Sequence, residues 1–382
     1  MDMKSKSATT EHIQFTEHLV ADGYNYAYGI SAGDIDGDGD LDLVSADGYV
    51  GLYWFENDGK GNFTKHVIRE QRSERGELLE RHCLADMNDD GWLDVVIIDN
   101  TNGCVLWFEN PRDPRQSPWP MRYIDQGLLP GAYDVATGDL MGNGTLSVVA
   151  SSWRKGNQFA WYEKRWGDWI KHVIDPFIME TRTVCPVDID GDGRIDVLGT
   201  ASREGEVVWY KNPGDPIHKP WRKTVIDSAA RPIHGHPCDM DGDGGVDVVM
   251  ALGMGNWDHN PKYHQIAWYE HGGKPGRGPW RKHIIAEYFP NAFEAVAGDL
   301  DGDGQIEVVA SSWADEGRIA LFKHDGDPRG EWSMQVLKDK WPLANQVLLA
   351  DLNGDGRLDI VGSAERGSNE VRWWRNEGPV RK

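Results

Sequence analysis

Asp34-Ile35-Asp36-Gly37-Asp38-Gly39-Asp40-Leu41-Asp42 is not a single occurrence in this chain. Near-copies begin at Asp86, Asp139, Asp188, Asp239, Asp299 and Asp351. One unit is therefore written seven times with a period of roughly 50 residues, the mark of a solenoid, a propeller or an array. Each copy has the same surroundings. A short apolar run leads into the first Asp. A β-branched run such as Val308-Val309-Ala310 follows, then an aromatic run such as Val208-Trp209-Tyr210. A run such as Trp169-Ile170-Lys171-His172-Val173-Ile174 closes the unit. Seven units of four short strands predict an all-β fold, a seven-bladed β-propeller with four antiparallel strands per blade.

The two ends of the repeat are complementary. Ile13–Val20 matches the closing strand of the later units (Phe63–Ile68, Trp280–Ile285), yet it precedes the first phrase. The last unit stops after Val371-Arg372-Trp373-Trp374, a third-strand run with no fourth strand behind it. The N-terminal strand is expected to complete the last blade, so that closure leaves no open seam. Residues 12–382 then read as a single propeller domain, and the polar residues 1–11 as a disordered tail.

The formal net charge is −22, and the seven phrases hold 25 of the 62 acidic residues, so the acidity is concentrated in one kind of loop. That balance argues against nucleic acid as a partner, because phosphate binding needs basic patches. An acidic sugar is still allowed, because one local Arg or His cluster can hold it. No apolar stretch of about 18 residues exists, so no membrane partner is expected. Met1-Asp-Met-Lys-Ser-Lys-Ser lacks the apolar segment of a signal peptide. Cys83, Cys104, Cys185 and Cys238 show no Cys-x-x-Cys spacing and read as free buried thiols.

Asp-x-Asp-x-Asp-Gly-x-x-Asp places side-chain oxygens at positions one, three, five and nine of a tight loop. Six or more oxygens around one ion is calcium chemistry. The ligand sets are Asp34, Asp36, Asp38 and Asp42; Asp188, Asp190, Asp192 and Asp196; and Asp239, Asp241, Asp243 and Asp247. A fourth set is Asp299, Asp301, Asp303 and Glu307. Two more carry Asn at position three: Asp86, Asn88, Asp90 and Asp94, and Asp351, Asn353, Asp355 and Asp359. The third copy, Asp139 to Ser147, has lost three acids and is expected to bind nothing. Asp and Gly also make such turns by local hydrogen bonds without any ion, and in either case the role is structural. The loops resemble those of the FG-GAP/VCBS repeat family, found in integrin α-chain propellers and in fungal and bacterial proteins, and the resemblance covers all seven units.

Strand alternation places every phrase on one face of the disc. The opposite face receives irregular connections, where function is usually carried. These bear Trp153, Arg203, Trp313 and Arg366, and the longest, residues 253–264, bears Trp257 and His259. Five residues before each first Asp the chain reads Gly29, Arg81, Asp134, Thr183, His234, Glu294 and Gln346. One residue earlier it reads Tyr28, Glu80, Tyr133, Arg182, Ile233, Phe293 and Asn345. With His82 and His236 beside them, these unlike polar residues predict one composite site at the mouth of the central pocket. The sugar-binding candidates are Tyr28, Arg81, Tyr133, Trp153, Arg182, Arg203, His236, Trp257, His259, Glu294, Trp313, Asn345 and Arg366. By contrast, His18, His66, His172 and His283 recur in the outer strand and read as structural.

The chain shows no Gly-x-Ser-x-Gly, no P-loop, no dinucleotide fingerprint and no cysteine paired with a plausible histidine. What remains suits sugar binding, or acid/base chemistry on a uronic acid. A polysaccharide lyase must offset the uronate carboxylate, remove the C5 proton and protonate the leaving O4. A single domain of this length with seven such units resembles the fungal L-rhamnose-α-1,4-D-glucuronate lyases. That resemblance implies a central calcium, action on rhamnosyl-glucuronate ends of gum arabic side chains, and a histidine as acid/base. It places that histidine in Glu80-Arg81-His82-Cys83, at His82, with His234 the next candidate. A secreted monomer acting on an acidic polysaccharide or oligosaccharide is expected. Two other readings stay open: a glycosidase using a carboxylate pair such as Asp134 and Glu294, and a non-catalytic calcium-dependent sugar-binding or adhesion propeller.

Overall fold

The computed structural model describes residues 12–70, 76–255, 260–272 and 279–380; the expected tail over residues 1–11 lies outside them. Each repeat folds as a four-stranded antiparallel sheet, and there are seven such sheets. Inner strands of successive sheets touch in chain order, and the seventh touches the first, which closes the ring. From the axis outward the first blade is Ala27–Gly33, Asp42–Asp47, Gly51–Asn57 and Phe63–Glu70. The seventh is Ala344–Ala350, Asp359–Ala364 and Glu370–Pro379, completed by Ile13–Ala21 from the other end of the chain. Ile13 pairs with Pro379 and His18 with Trp373, so closure follows the register expected from the repeat.

A blade lies between two neighbours, so its second strand is covered on both faces. Asp94-Val95-Val96-Ile97-Ile98-Asp99 is buried along its whole length and reads as a continuous β-branched run without polar alternation. The core is accordingly a cycle of interfaces. Val44 and Trp54 of the first blade pack on Ile97 and Phe108 of the second. Around the ring, Val361 and Trp373 of the seventh pack on Leu43 and Phe55 of the first. Each such large side chain contributes about 1.5–3 kcal/mol by leaving water.

The repeated histidines are structural. His66, His172, His283 and His18 stack on Trp54, Trp161, Trp268 and Trp373 at 4.6, 4.4, 4.5 and 4.8 Å between ring centres. Successive blades are also clasped beside the phrases. Asn57 donates to Leu352 O of the seventh blade, Asn110 to Ile35 O of the first, and Asn376 to Leu300 O of the sixth.

Candidate functional site

The inner strands bring the unlike side chains of the repeat together on the axis. Arg81 Nε donates to Asp134 Oδ1 at 2.8 Å and Arg81 Nη2 to Glu294 Oε1 at 2.9 Å. His236 Nε2 lies 2.9 Å from the same Glu294 oxygen. Two cations on two carboxylates form a layer without net charge, and Arg81, Asp134 and Glu294 are all buried. Burial opposes the charge of Glu294, but Arg81 and His236 outweigh it and hold its pKa below the usual carboxylate value. Burial likewise opposes the charge of His236, yet Cys185 and Glu294 beside it raise its pKa to about 10.

A second chain of hydrogen bonds runs beside this layer. The Thr183 hydroxyl donates to Ile233 O at 2.9 Å, so its oxygen accepts from His234 Nδ1 at 2.8 Å. His234 Nε2 then accepts from Tyr133 OH at 3.0 Å, and Tyr28 OH donates to Tyr133 at 2.8 Å. His234 is thereby neutral. Burial, with Arg81 and Arg182 nearby, keeps its pKa far below the ordinary histidine value.

These networks plug the axis between two cavities. The one on the variable face, about 270 Å³, is lined by Tyr26, Tyr28, Glu80, Tyr133, Trp153, Arg154, Arg182, Arg231, Trp313, Glu365 and Arg366 among others. The Arg182 guanidinium lies 4.5 Å over the Tyr133 ring and 4.3 Å over Trp153. That of Arg366 lies 5.1 Å over Tyr26 and donates to Glu365 Oε1 at 3.0 Å. Glu80 Oε1 accepts from Tyr26 OH at 3.2 Å, while Glu80 Oε2 and Glu365 Oε2 are buried without a partner. Burial, with the Glu365 charge adding to it, pushes the Glu80 pKa up to about 8.

At the phrases, Asp34 receives Gly37 N and Gly39 N at 2.8 and 3.1 Å. Both glycines have positive φ, +76° and +96°, which the turn requires and a side chain would strain. The ninth residue, Asp42, receives Ile35 N at 3.0 Å and Asn57 N at 2.8 Å, tying the loop to the end of the third strand. The FG-GAP-like repeat model matches residues 86–150, 188–250, 239–310 and 299–362, well over half of the chain. The chain belongs to the FG-GAP-like repeat family. Two solved structures of BBS1N in complex with ARL6DN, one soaked with mercury and one with lead, share its fold. Their TM-scores are 0.56 and 0.57 at 10% and 11% identity, over 94% and 95% of this chain and 96% of each of theirs. No curated protein matches the chain in sequence.

In these FG-GAP-like loops, ligand oxygens of Asp34, Asp36 and Asp42 lie within 4.8 Å of one another. The same holds for Asp188, Asp190 and Asp196, for Asp239, Asp241 and Asp247, and for Asp299, Asp301 and Asp303. The fifth-position acid thus joins only the last of these sets; Asp38, Asp192 and Asp243 stand outside theirs, as does the ninth-position Glu307. Asn88 Oδ1, Asp190 Oδ1 and Glu307 Oε1 are buried oxygens without a hydrogen-bond partner. Hard oxygen donors on a glycine turn, some of them unpartnered, fit calcium. Protein cations otherwise reach the same acids: Arg115 on Asp36, Lys211 on Asp190, Arg329 on Asp241 and Lys323 on Asp301. Burial, with neighbouring acids adding to it, raises Asp42, Asp247 and Glu307 to about 7. It raises Asp94, Asp196 and Asp359 to about 6. The third loop keeps the same turn on Asp139 alone, so the turn does not depend on a full set of acids.

The sequence-derived candidates divide among several places. Tyr28, Tyr133, Trp153, Arg182, Trp313 and Arg366 line the variable-face cavity. Arg81, expected to hold a uronate, is instead engaged by Asp134 and Glu294, so neither it nor that carboxylate pair is free for substrate. His82 and His236 line the cavity on the other side of the plug. His82 Nε2 faces Val44 O at 3.3 Å, and burial lowers its pKa to about 4. Asn345 is buried, donating to Ala27 O and accepting from Ser363, and Arg203 is exposed and lines neither cavity. Trp257 and His259 lie outside the described residues. Arg154, which lies beside Trp153 in the same second-to-third connection, lines the variable-face cavity too. Sequence reasoning missed Tyr26, Arg231 and Glu365; Glu365 adjoins Arg366, which was the available signal.

Proposed function

We propose that the chain binds the carboxylate of a 4-O-glycosylated uronate, such as a rhamnosyl-glucuronate end, over Arg182 and breaks its C4–O4 bond by β-elimination. Arg182 carries this reading: it is 3% exposed and makes no ion pair among the described residues, while it lines an open cavity. Its guanidinium meets the Ser202 hydroxyl at 3.5 Å and the rings of Tyr133 and Trp153, and a ligand carboxylate would complete it with paired hydrogen bonds. Trp153, Trp313 and Tyr26 give the cavity an aromatic lining, and their faces carry the guanidinium groups of Arg182 and Arg366 that would meet the ligand. Neutralising the uronate makes its C5 proton removable. In this reading Tyr133 takes that proton as its own passes along the hydrogen bond to His234 Nε2. The lowered His234 pKa opposes that transfer, and the incoming uronate carboxylate must offset it. His234 acts only through Tyr133 and is a positioning residue. Glu80, with a pKa near 8, is protonated at neutrality and can give its proton to the departing O4. His82, across the plug, takes no part in this step. Calcium in the phrase loops would brace the opposite face without touching the chemistry.

Incubation with gum arabic tests this. Ultraviolet absorbance of an unsaturated uronate should grow with the wild-type chain and be lost with Arg182→Ala. Saccharide binding that depends on Arg182, with no unsaturated product from any uronate, would make the chain a non-catalytic sugar-binding propeller. Neither product nor binding would remove the uronate reading altogether.

A further inference from the structure

The second cavity, about 480 Å³, opens on the axis on the phrase side of the plug. Its volume falls in the range of small-molecule sites, and neither the phrase-loop acids nor the proposed saccharide site reaches into it. Every blade contributes the residue three places before its first Asp to the wall. In the fourth and fifth blades these equivalent positions are Cys185 and His236, which therefore stand side by side at one height. The Cys185 thiol lies close enough to the His236 ring to favour its charged form, and His236 Nε2 lies 2.9 Å from Glu294 Oε1. Cys185 is partly exposed and free, and the His236 side chain is 34% exposed. The chain shows no Cys–His pairing in sequence because the two residues lie 51 positions apart and meet only through the ring.

We propose that Cys185, His236 and Glu294 form a nucleophilic triad, and that the second cavity admits a small soft carbon electrophile which Cys185 captures covalently. Three parts stand in order: a thiol and an imidazole on one cavity wall, and a carboxylate that orients the imidazole by a hydrogen bond. In the step, Sγ forms a bond to the electrophilic carbon as the bond from that carbon to its leaving group breaks. The leaving group departs with the electron pair. The proton taken from the thiol stays on His236, where Glu294 holds it. Reactive cysteines are those beside a histidinium in an accessible site. The other three thiols lack such a neighbour. Burial, with carboxylates nearby, pushes Cys83 up to about 12 and Cys104 up to about 11, and it raises Cys238 as well. Cys83 lines the same cavity and is the internal control. The charged or titratable groups around the pair are Glu294, Arg81, Asp134 and His234.

The test is timed alkylation of the folded chain with limiting iodoacetamide, with peptide mass spectrometry reading all four cysteines. At pH 7, Cys185 should react at least about tenfold faster than Cys83, and His236→Asn should slow Cys185 by about tenfold while leaving Cys83 unchanged. Equal rates at the two cysteines, or an unchanged Cys185 rate in a folded His236→Asn chain, would overturn the proposal. Should His236→Asn fail to fold, the wild-type comparison at pH 7 decides: equal labelling of Cys185 and Cys83 counts against the triad.

Discussion

Arg182 and Glu80 are the two side chains on which the chemistry of the variable face turns. Removing Arg182 as Arg182→Ala should weaken a glucuronate-ended ligand by about 10–100-fold, since hydrogen bonds to charged groups contribute about 1.5–3 kcal/mol. The melting temperature should hold or rise, because a buried charge without an ion pair has gone. Calorimetry and a thermal melt together read both outcomes, and a large drop in the melt would give Arg182 a structural role instead. Glu80 binds its proton more tightly folded than unfolded. Its contribution to stability is therefore present at acid pH and lost as pH rises from about 4.5 toward 8. Glu80→Gln should flatten that part of the stability–pH curve, and any turnover that uses Glu80 as the acid should decline above pH 8 in the wild-type chain. Aligning the repeat locates these positions without knowledge of their contacts. The grip of Glu294 on Arg81 spans 213 residues of chain, and no local pattern of either residue announces it. His82 shows the opposite limit: it breaks the repeat, but which side of the plug its ring faces depends on Gly29. There a Cβ would stand 2.5 Å from His82 Nδ1.

The phrase loop is the element in which ion, proton and backbone compete. Stripped of divalent ions, the ninth-position acids titrate near 6–7, well above an unfolded carboxylate. They bind protons in the folded state that the unfolded chain has released, so the chelated protein should lose stability as pH rises from about 4 to 7. Bound calcium would take the place of those protons. It should raise the melting temperature most above pH 7, by mass action, and flatten the pH dependence. Melts across pH with chelator and with calcium check this; identical curves would reduce the loops to plain turns. Asp36→Ala should lower the calcium-dependent gain and leave saccharide binding in the folded fraction unchanged. The strands themselves were legible because β-branched and aromatic runs recur at fixed offsets from the phrase. Less legible was the division of labour among the acids: Asp38 and Asp42 look alike in sequence, yet only Asp42 is buried against the end of the third strand.

At the scale of the whole molecule, closure rests on Ile13–Ala21 pairing with Glu370–Pro379. Deleting residues through Ala21 exposes a long strand edge and unstacks His18 from Trp373. The truncated chain should melt lower and less cooperatively and should associate by edge pairing, visible in size-exclusion chromatography. A sharp, monomeric melt would mean that six complete blades and a three-stranded seventh suffice. Closure could be read from the sequence because the orphan strand and the missing strand are the same kind. The plug could not, since it arises where unlike side chains from six blades converge. That plug has a consequence for stoichiometry. A disc with a through-channel offers one queue, in which a molecule entering from either side excludes the next. With Arg81, Asp134, Glu294 and His236 closing the middle, the two mouths are separate vestibules set back to back. Saturation would therefore be two guests per chain without mutual displacement, each drawn from whatever surrounds its own side of the disc.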